Sequence, residues 1–157
     1  MPNHCHNRVT FYSANTEAVA KLKQIFEDEN CFGQIIPEPD WPNTPLTQQD
    51  SSNWLHPKRG EVGELPQYVE DYAKRLVFKS TGHADDRWYD WRLANWDTKW
   101  DAYDVVVTDD DPESVEIEFN TAWSPPEAIC SKIREDYPDV SVSWFYDEPG
   151  CEIAGYL

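Results

Sequence analysis

His4 and His6 stand two residues apart in the segment HCHNRVTFY, and Glu116 and Glu118 stand two apart in VEIEFNTAW. Residues spaced by two share one face of a strand. If the two segments lie side by side, two imidazoles and a carboxylate (His4, His6 and Glu118) make a candidate set for zinc or a similar ion, or for acid and base work. The same alternation puts Arg8 beside the histidines, and cross-strand ion pairs with Glu116 and Glu118 account for these residues without chemistry. No second motif supports a metal. The four cysteines, Cys5, Cys31, Cys130 and Cys151, include no Cys-x-x-Cys pair, and neither G-x-S-x-G nor H-E-x-x-H occurs. No Gly-rich loop precedes a helix, so a phosphate cradle is absent. His56 and His83 fall in polar stretches and read as solvated. The run Asp109, Asp110, Asp111 reads as a turn whose carboxylates cap main-chain amides, because the rest of a calcium-loop pattern is missing. We expect no catalytic set, no cofactor and no metal.

The elements that position these groups follow from periodicity. NRVTFY alternates Val9 and Phe11 with Arg8, Thr10 and Tyr12, the pattern of a half-buried strand. Asn15 or Thr16 can cap a helix whose Ala18, Val19, Leu22, Ile25 and Phe26 recur at helical spacing, ending near Asn30. From Cys31 to about Leu65 the chain is rich in Pro, Asn, Gln, Ser and Gly, which reads as a surface insertion, and PQYVEDYAKRLVF predicts a second helix opened by Pro66. A strand near residues 100–108, a turn at Asp109 to Pro112 and the alternation of Val115, Ile117, Phe119 and Thr121 predict a hairpin. SPPEAICSKIRED offers Ser124 as helix cap with Glu127 three places on, the reciprocal capping pattern, and buries Ile129, Cys130 and Ile133. VSVSWFYDEPGCEIAGYL predicts two closing strands around Glu148, Pro149 and Gly150. We therefore expect one domain over residues 1–157, with 31–87 as an insertion carrying one helix. Its fold class is α+β: a ferredoxin-like antiparallel sheet with helices on one face, a long insertion after the first helix and an extra C-terminal strand.

Trp88, Trp91, Trp96 and Trp100 crowd the stretch RWYDWRLANWDTKWDAY. Flat rings could form a platform for a sugar, a base or a proline-rich peptide. Helical spacing, however, predicts a single buried stripe. We place these four, with Trp123 and Trp144, in the structural core. Trp41 and Trp54 of the insertion, with Arg8, Glu116 and Glu118 on the open sheet face, are the candidate interaction residues.

The chain carries a net charge of -17, and residues 100–157 hold 15 Asp or Glu against only Lys132 and Arg134. Such a surface repels phosphate backbones, so direct nucleic-acid or anionic-membrane binding is disfavoured. No apolar run approaches membrane-spanning length and the first residues lack the order of a signal peptide, so we expect a cytoplasmic protein with reduced thiols.

The segments MPNHCHNRV, WYDWRLANWDTKWDAYD, TAWSPPE and EPGCEIAGY resemble the YubB-type ferredoxin-like proteins carried on plasmids and phages. The resemblance covers both ends and the middle of the chain and leaves about 37–87 unmatched. It implies a ferredoxin-like fold and a mobile genetic element as source, and no established activity. Two positions depart from the pattern: His4 stands where an aromatic, usually Trp, is expected, and Asp97 where Gly is usual. Three functions compete: a non-catalytic module that binds another protein, an acidic mimic of DNA that blocks a host DNA-binding or defence protein, and a metal-assisted enzyme using the N-terminal histidines.

Overall fold

In a computed structural model of the protein, residues 3–41, 44 and 87–157 are described. The chain falls into two compact units, Met1–Pro37 with Arg92–Leu157, and Glu38–Trp91. The helix expected over PQYVEDYAKRLVF, and Trp54, lie outside the described residues.

The first unit is built on β1 (His4–Tyr12), α1 (Thr16–Glu27), α2 (Cys31–Ile35), β2 (Tyr103–Asp111), β3 (Ser114–Ala122), α4 (Glu127–Asp136), β4 (Ser141–Glu148) and β5 (Ile153–Tyr156), and α3 (Arg87–Asn95) leads into its second stretch of chain. The five strands form one antiparallel sheet in the order β2-β3-β1-β4-β5. Each helical crossover therefore skips one strand, β3 lying between β1 and β2, and β1 between β3 and β4. This is the ferredoxin-like α+β topology, extended by β5.

Alternation on β1 fixes which side is covered. Cys5, Asn7, Val9 and Phe11 are buried while His4, His6, Arg8 and Tyr12 are exposed. On β3, Val115, Ile117, Phe119 and Thr121 turn to the same buried side. Against it lie α1, through Ala18, Val19, Leu22, Ile25 and Phe26, and α4, through Ile129, Cys130 and Ile133. The core between them is a chain of rings. Phe11 meets Phe26 at 5.7 Å, Phe26 meets Phe119 at 5.3 Å, and Phe119 meets Trp144 at 5.5 Å and Phe32 at 6.2 Å. Trp96 closes it at 5.8 Å from Phe32.

Several expectations are corrected here. Cys31 and Phe32 do not begin a surface stretch. They open α2 and are buried, with Asn30 in the left-handed region (φ 58°) turning the chain into it. Trp96 and Trp144 are fully buried, but Trp100 and Trp123 are 38% and 48% exposed rather than in the core. Trp123 follows the last residue of β3 at φ 71°, a left-handed turn that swings its ring off the buried side as the chain leaves for α4. Trp100 sits in the bend before β2, its ring edge against Tyr103 at 6.4 Å and Lys99 above it at 4.4 Å. Trp88 and Trp91, on α3, are half-buried.

The cap of α4 also differs from expectation. Pro126 occupies the cap position and supplies no side-chain bond. Instead Asp97 Oδ2 accepts the main-chain N–H of Ala128 at 2.8 Å, and Ser124 Oγ donates to the Asp97 carbonyl oxygen. Asp97 holds φ 63°. The Asp97 carboxylate satisfies an orphan donor at the helix start, which offsets the strain of that backbone region.

In the second unit Trp41 is half-buried. Its indole N–H donates to Glu38 at 2.8 Å, Trp91 meets its ring at 6.4 Å, and the Arg87 guanidinium lies 5.1 Å from it. Arg87, itself 7% exposed, donates to the main-chain oxygens of Trp41 and Thr44.

Candidate binding face

The register of the sheet decides which open-face residues meet. Across β1 and β3, His4 is opposite Ala122, His6 opposite Asn120, Arg8 opposite Glu118 and Thr10 opposite Glu116. Across β1 and β4, His6 is opposite Asp147 and Arg8 opposite Phe145. His4, His6 and Glu118 are consequently not gathered as ligands. His4 Nδ1 lies 2.6 Å from the Tyr103 hydroxyl, and His6 Nδ1 lies 2.6 Å from Asn120 Oδ1. Among the described residues no group of three or more His, Cys, Asp or Glu could hold a metal ion.

What the sheet does gather is a concavity of about 310 Å³ lined by His6, Arg8, Asp104, Val106, Glu118, Asn120, Phe145 and Asp147, with Asn7 and Phe119 at its floor. Three features shape it. First, β2 slips register against β3 between Tyr103 and Val106, and Asp104 within the slip holds φ 54°. A bulge of this kind re-aims a side chain, at a cost of about 1–2 kcal/mol for a non-glycine residue in the left-handed region. Second, the re-aimed Asp104 joins a relay. Asn120 Nδ2 donates to its carboxylate at 3.2 Å, and the oxygen of the same amide receives the His6 N–H. Third, the Arg8 guanidinium is 5.5 Å from the centre of the Phe145 ring and makes no hydrogen bond or ion pair with any described residue, although Glu118 is its partner in register. Phe145 supports the planar cation from below and leaves its donors available.

Glu116, outside the concavity, is held by two hydroxyls, Thr108 at 2.9 Å and Thr10 at 3.5 Å. The Asp run expected as a turn instead forms the end of β2, and the turn is Pro112 and Glu113. Asp110 there pairs with Lys23 of α1 at 2.6 Å. Of the concavity, Arg8, His6 and Glu118 were legible from alternation. Asp104, Asn120, Phe145 and Asp147 were not singled out, although the strand pattern of VSVSWFYDE already sets Phe145 and Asp147 on the side opposite Trp144.

Behind this face the amide of Asn7 pairs off a set of buried polar groups. Trp144 Nε1 donates to Asn7 Oδ1 at 3.1 Å, and Asn7 Nδ2 donates to Thr121 Oγ1 at 2.9 Å and to the Cys5 oxygen at 3.0 Å. Burial pushes the Cys5 thiol up to about 11 and raises Cys31 and Cys130 as well, so these thiols stay protonated at neutral pH and are poor nucleophiles. At the β4–β5 turn the Cys151 thiol bonds to Glu148, which lowers the carboxyl's affinity for protons and raises that of the thiol.

The fold has a known counterpart. Residues 95–157 match the ferredoxin-like domain of Api92-like proteins. The crystal structure of the protein api92 from Yersinia pseudotuberculosis aligns over 99% of this chain and 93% of that one, with a TM-score of 0.54 and 11% sequence identity, a likeness of fold. No curated protein matches the sequence. No helix among the described residues is long and apolar enough to cross a membrane.

Proposed function

We infer that the protein is a non-catalytic interaction module of a mobile genetic element, acting in the cytoplasm, which presents the open face of its sheet to a basic protein partner. One observation carries this reading: the concavity sets Asp104, Glu118 and Asp147 around a single guanidinium whose donors are unclaimed. The carboxylates attract cationic side chains, and the Arg8 fork suits a partner carboxylate in two-point contact. The strained Asp104 supports the same reading, since backbone strain persists where a site over-determines it. The YubB-type resemblance supports the mobile-element setting.

The test uses a partner recovered from the native host and then purified. Glu118→Gln combined with Asp104→Asn is expected to slow association and to flatten its salt dependence, because charges near an interface act chiefly on encounter. Association that ignores both the substitutions and salt sinks the reading.

A second reading has its own support. Asp104, Asp109, Asp110 and Asp111 follow one another along β2, Glu113 stands in the turn, and Glu116 and Glu118 continue on β3. Such a row could imitate a phosphate backbone and occupy the cleft of a host DNA-binding or defence protein. Competition decides between the two: a DNA duplex displaces the chain from its partner only under the mimic reading.

A further inference from the structure

The two edges of the sheet are built differently. β2 forms one edge, slips register twice against β3 and carries Asp104, Asp109, Asp110 and Asp111. Bulges and charges of this kind keep an edge from pairing with foreign strands. β5 forms the other edge and reads Ile-Ala-Gly-Tyr, with no charge, no proline and no slip against β4. Ile153 is 45% and Tyr156 70% exposed. Among the described residues β5 pairs only with β4.

The direction of its free groups can be worked out. The Leu157 N–H donates to the Trp144 oxygen at 3.0 Å, and Tyr146 is opposite Gly155. Main-chain groups alternate in direction along a strand, so residues 153, 155 and 157 address β4, while the N–H and C=O of Ala154 and Tyr156 point away from the sheet.

We propose that this edge takes up an extended, basic segment of a partner protein as one further antiparallel strand. The occupant's character follows from what flanks the edge. Tyr156 continues a row that begins with Arg8 over Phe145, the two rings 5.3 Å apart, so an aromatic residue opposite Tyr156 extends the stack. Ala154 is opposite Asp147, whose carboxylate borders the concavity. Strands lie about 4.8 Å apart, so a Lys or Arg on the added strand spans the short Ala154 to reach Asp147. On the other side of the sheet, the Tyr146 hydroxyl would lie 3.3 Å from a Cβ at Gly155, within reach of a Thr hydroxyl on the incoming strand. The net charge of -17 favours a basic occupant and opposes a second copy of this chain. The inference rests on the reading of a basic protein partner, but places part of the recognition on main-chain bonds that the open face does not supply.

The probe is a fluorescein-labelled peptide, Ser-Phe-Thr-Lys-Val-Ser, titrated by anisotropy against the full chain. Saturable binding is expected, weakened roughly two- to fivefold when the peptide's Lys is replaced by Glu, the scale of an exposed ion pair. Ala154→Pro removes only an outward N–H, which an edge strand tolerates, and is expected to abolish binding while the thermal transition is kept. Should that variant unfold, the same peptide N-methylated at Phe and Lys tests the edge on unaltered protein, and is expected not to bind. Absence of saturable binding, retained binding to folded Ala154→Pro, or retained binding of the methylated peptide overturns the proposal. A dimer that Ala154→Pro dissolves does so too, because the edge then belongs to a second copy. Glu118→Gln separates the two readings: if it weakens the natural partner and Ala154→Pro does not, the open face stands and the edge fails.

Discussion

The two sides of β1 share one backbone and are held in place by different physics. Toward the helices, Cys5, Val9 and Phe11 are wholly buried and Asn7 is 3% exposed. There a side chain is fixed by neighbours that fill every direction around it. On the other side His6 is placed by one amide and Arg8 by one ring. Loss of a residue on the packed side should therefore be felt as stability, and loss on the open side as a change in what the protein offers. Trp144→Ala tests the first half most strongly. It removes a fully buried indole that touches Phe26 and Phe119. Chemical denaturation should show a loss of about 3–5 kcal/mol.

The next largest effect separates packing from polar satisfaction within the covered side. Asn7 is the hub that receives the Trp144 indole N–H and donates to Thr121 and Cys5. Asn7→Ala should cost about 1–3 kcal/mol, since it strands a buried donor as well as leaving space. A smaller loss would mean that water replaces the amide, and that this end of the covered side is less closed than the ring cluster.

Asp97 offers a comparison in which two effects can be told apart. Its carboxylate caps α4 and its backbone sits at φ 63°. Asp97→Ala loses the cap and keeps the strain, a fall of about 1–2 kcal/mol in unfolding experiments; Asp97→Gly loses the cap and relieves the strain, and should change stability by only a few tenths. Equal losses for both would show that the left-handed backbone costs nothing here.

These cases show what could be read from the residues. Alternation along β1 and β3 was legible because every second position is apolar and nothing interrupts the count. The cap of α4 was not, because it comes from Asp97, about thirty positions upstream, while the nearby Ser124 imitates a local cap. α2 was missed because Cys31–Ile35 is too short to show a period and contains Gly33. The end of β2 reads as a turn in the sequence because Asp109, Asp110 and Asp111 are turn-forming residues, whereas an edge strand tolerates their charges. The site was legible only in its parts. Whether Glu118 meets His6 or Arg8 depends on a register difference of two residues, which leaves the alternation unchanged, and the slip at Tyr103 and Val106 that aims Asp104 leaves no mark in composition.

Titration probes the covered side by another route. Burial raises the Cys5 thiol from 9.0 to about 11. The folded chain keeps that proton where the unfolded chain has lost it, so this contribution to stability is complete below about pH 9 and is lost as pH rises toward 11. Thermal unfolding followed across that window should show a falling midpoint, and Cys5→Ala should flatten the fall. An unchanged slope in that variant would assign the decline to other groups.

The smallest effect on stability is expected from Arg8, and it bears most directly on the contrast between the two faces. Its guanidinium rests on Phe145 and is paired with no described carboxylate. Exposed substitutions of this kind usually move stability by within about 0.5 kcal/mol. If Arg8→Ala leaves denaturation unchanged and slows or weakens partner association, the open face is a presented surface, as the geometry of Asp104, Glu118 and Asp147 around it suggests. A loss comparable to that of Asn7→Ala would instead make the Arg8–Phe145 stack a structural clasp between β1 and β4. The concavity would then be a by-product of sheet twist, and recognition would have to be sought at the β5 edge.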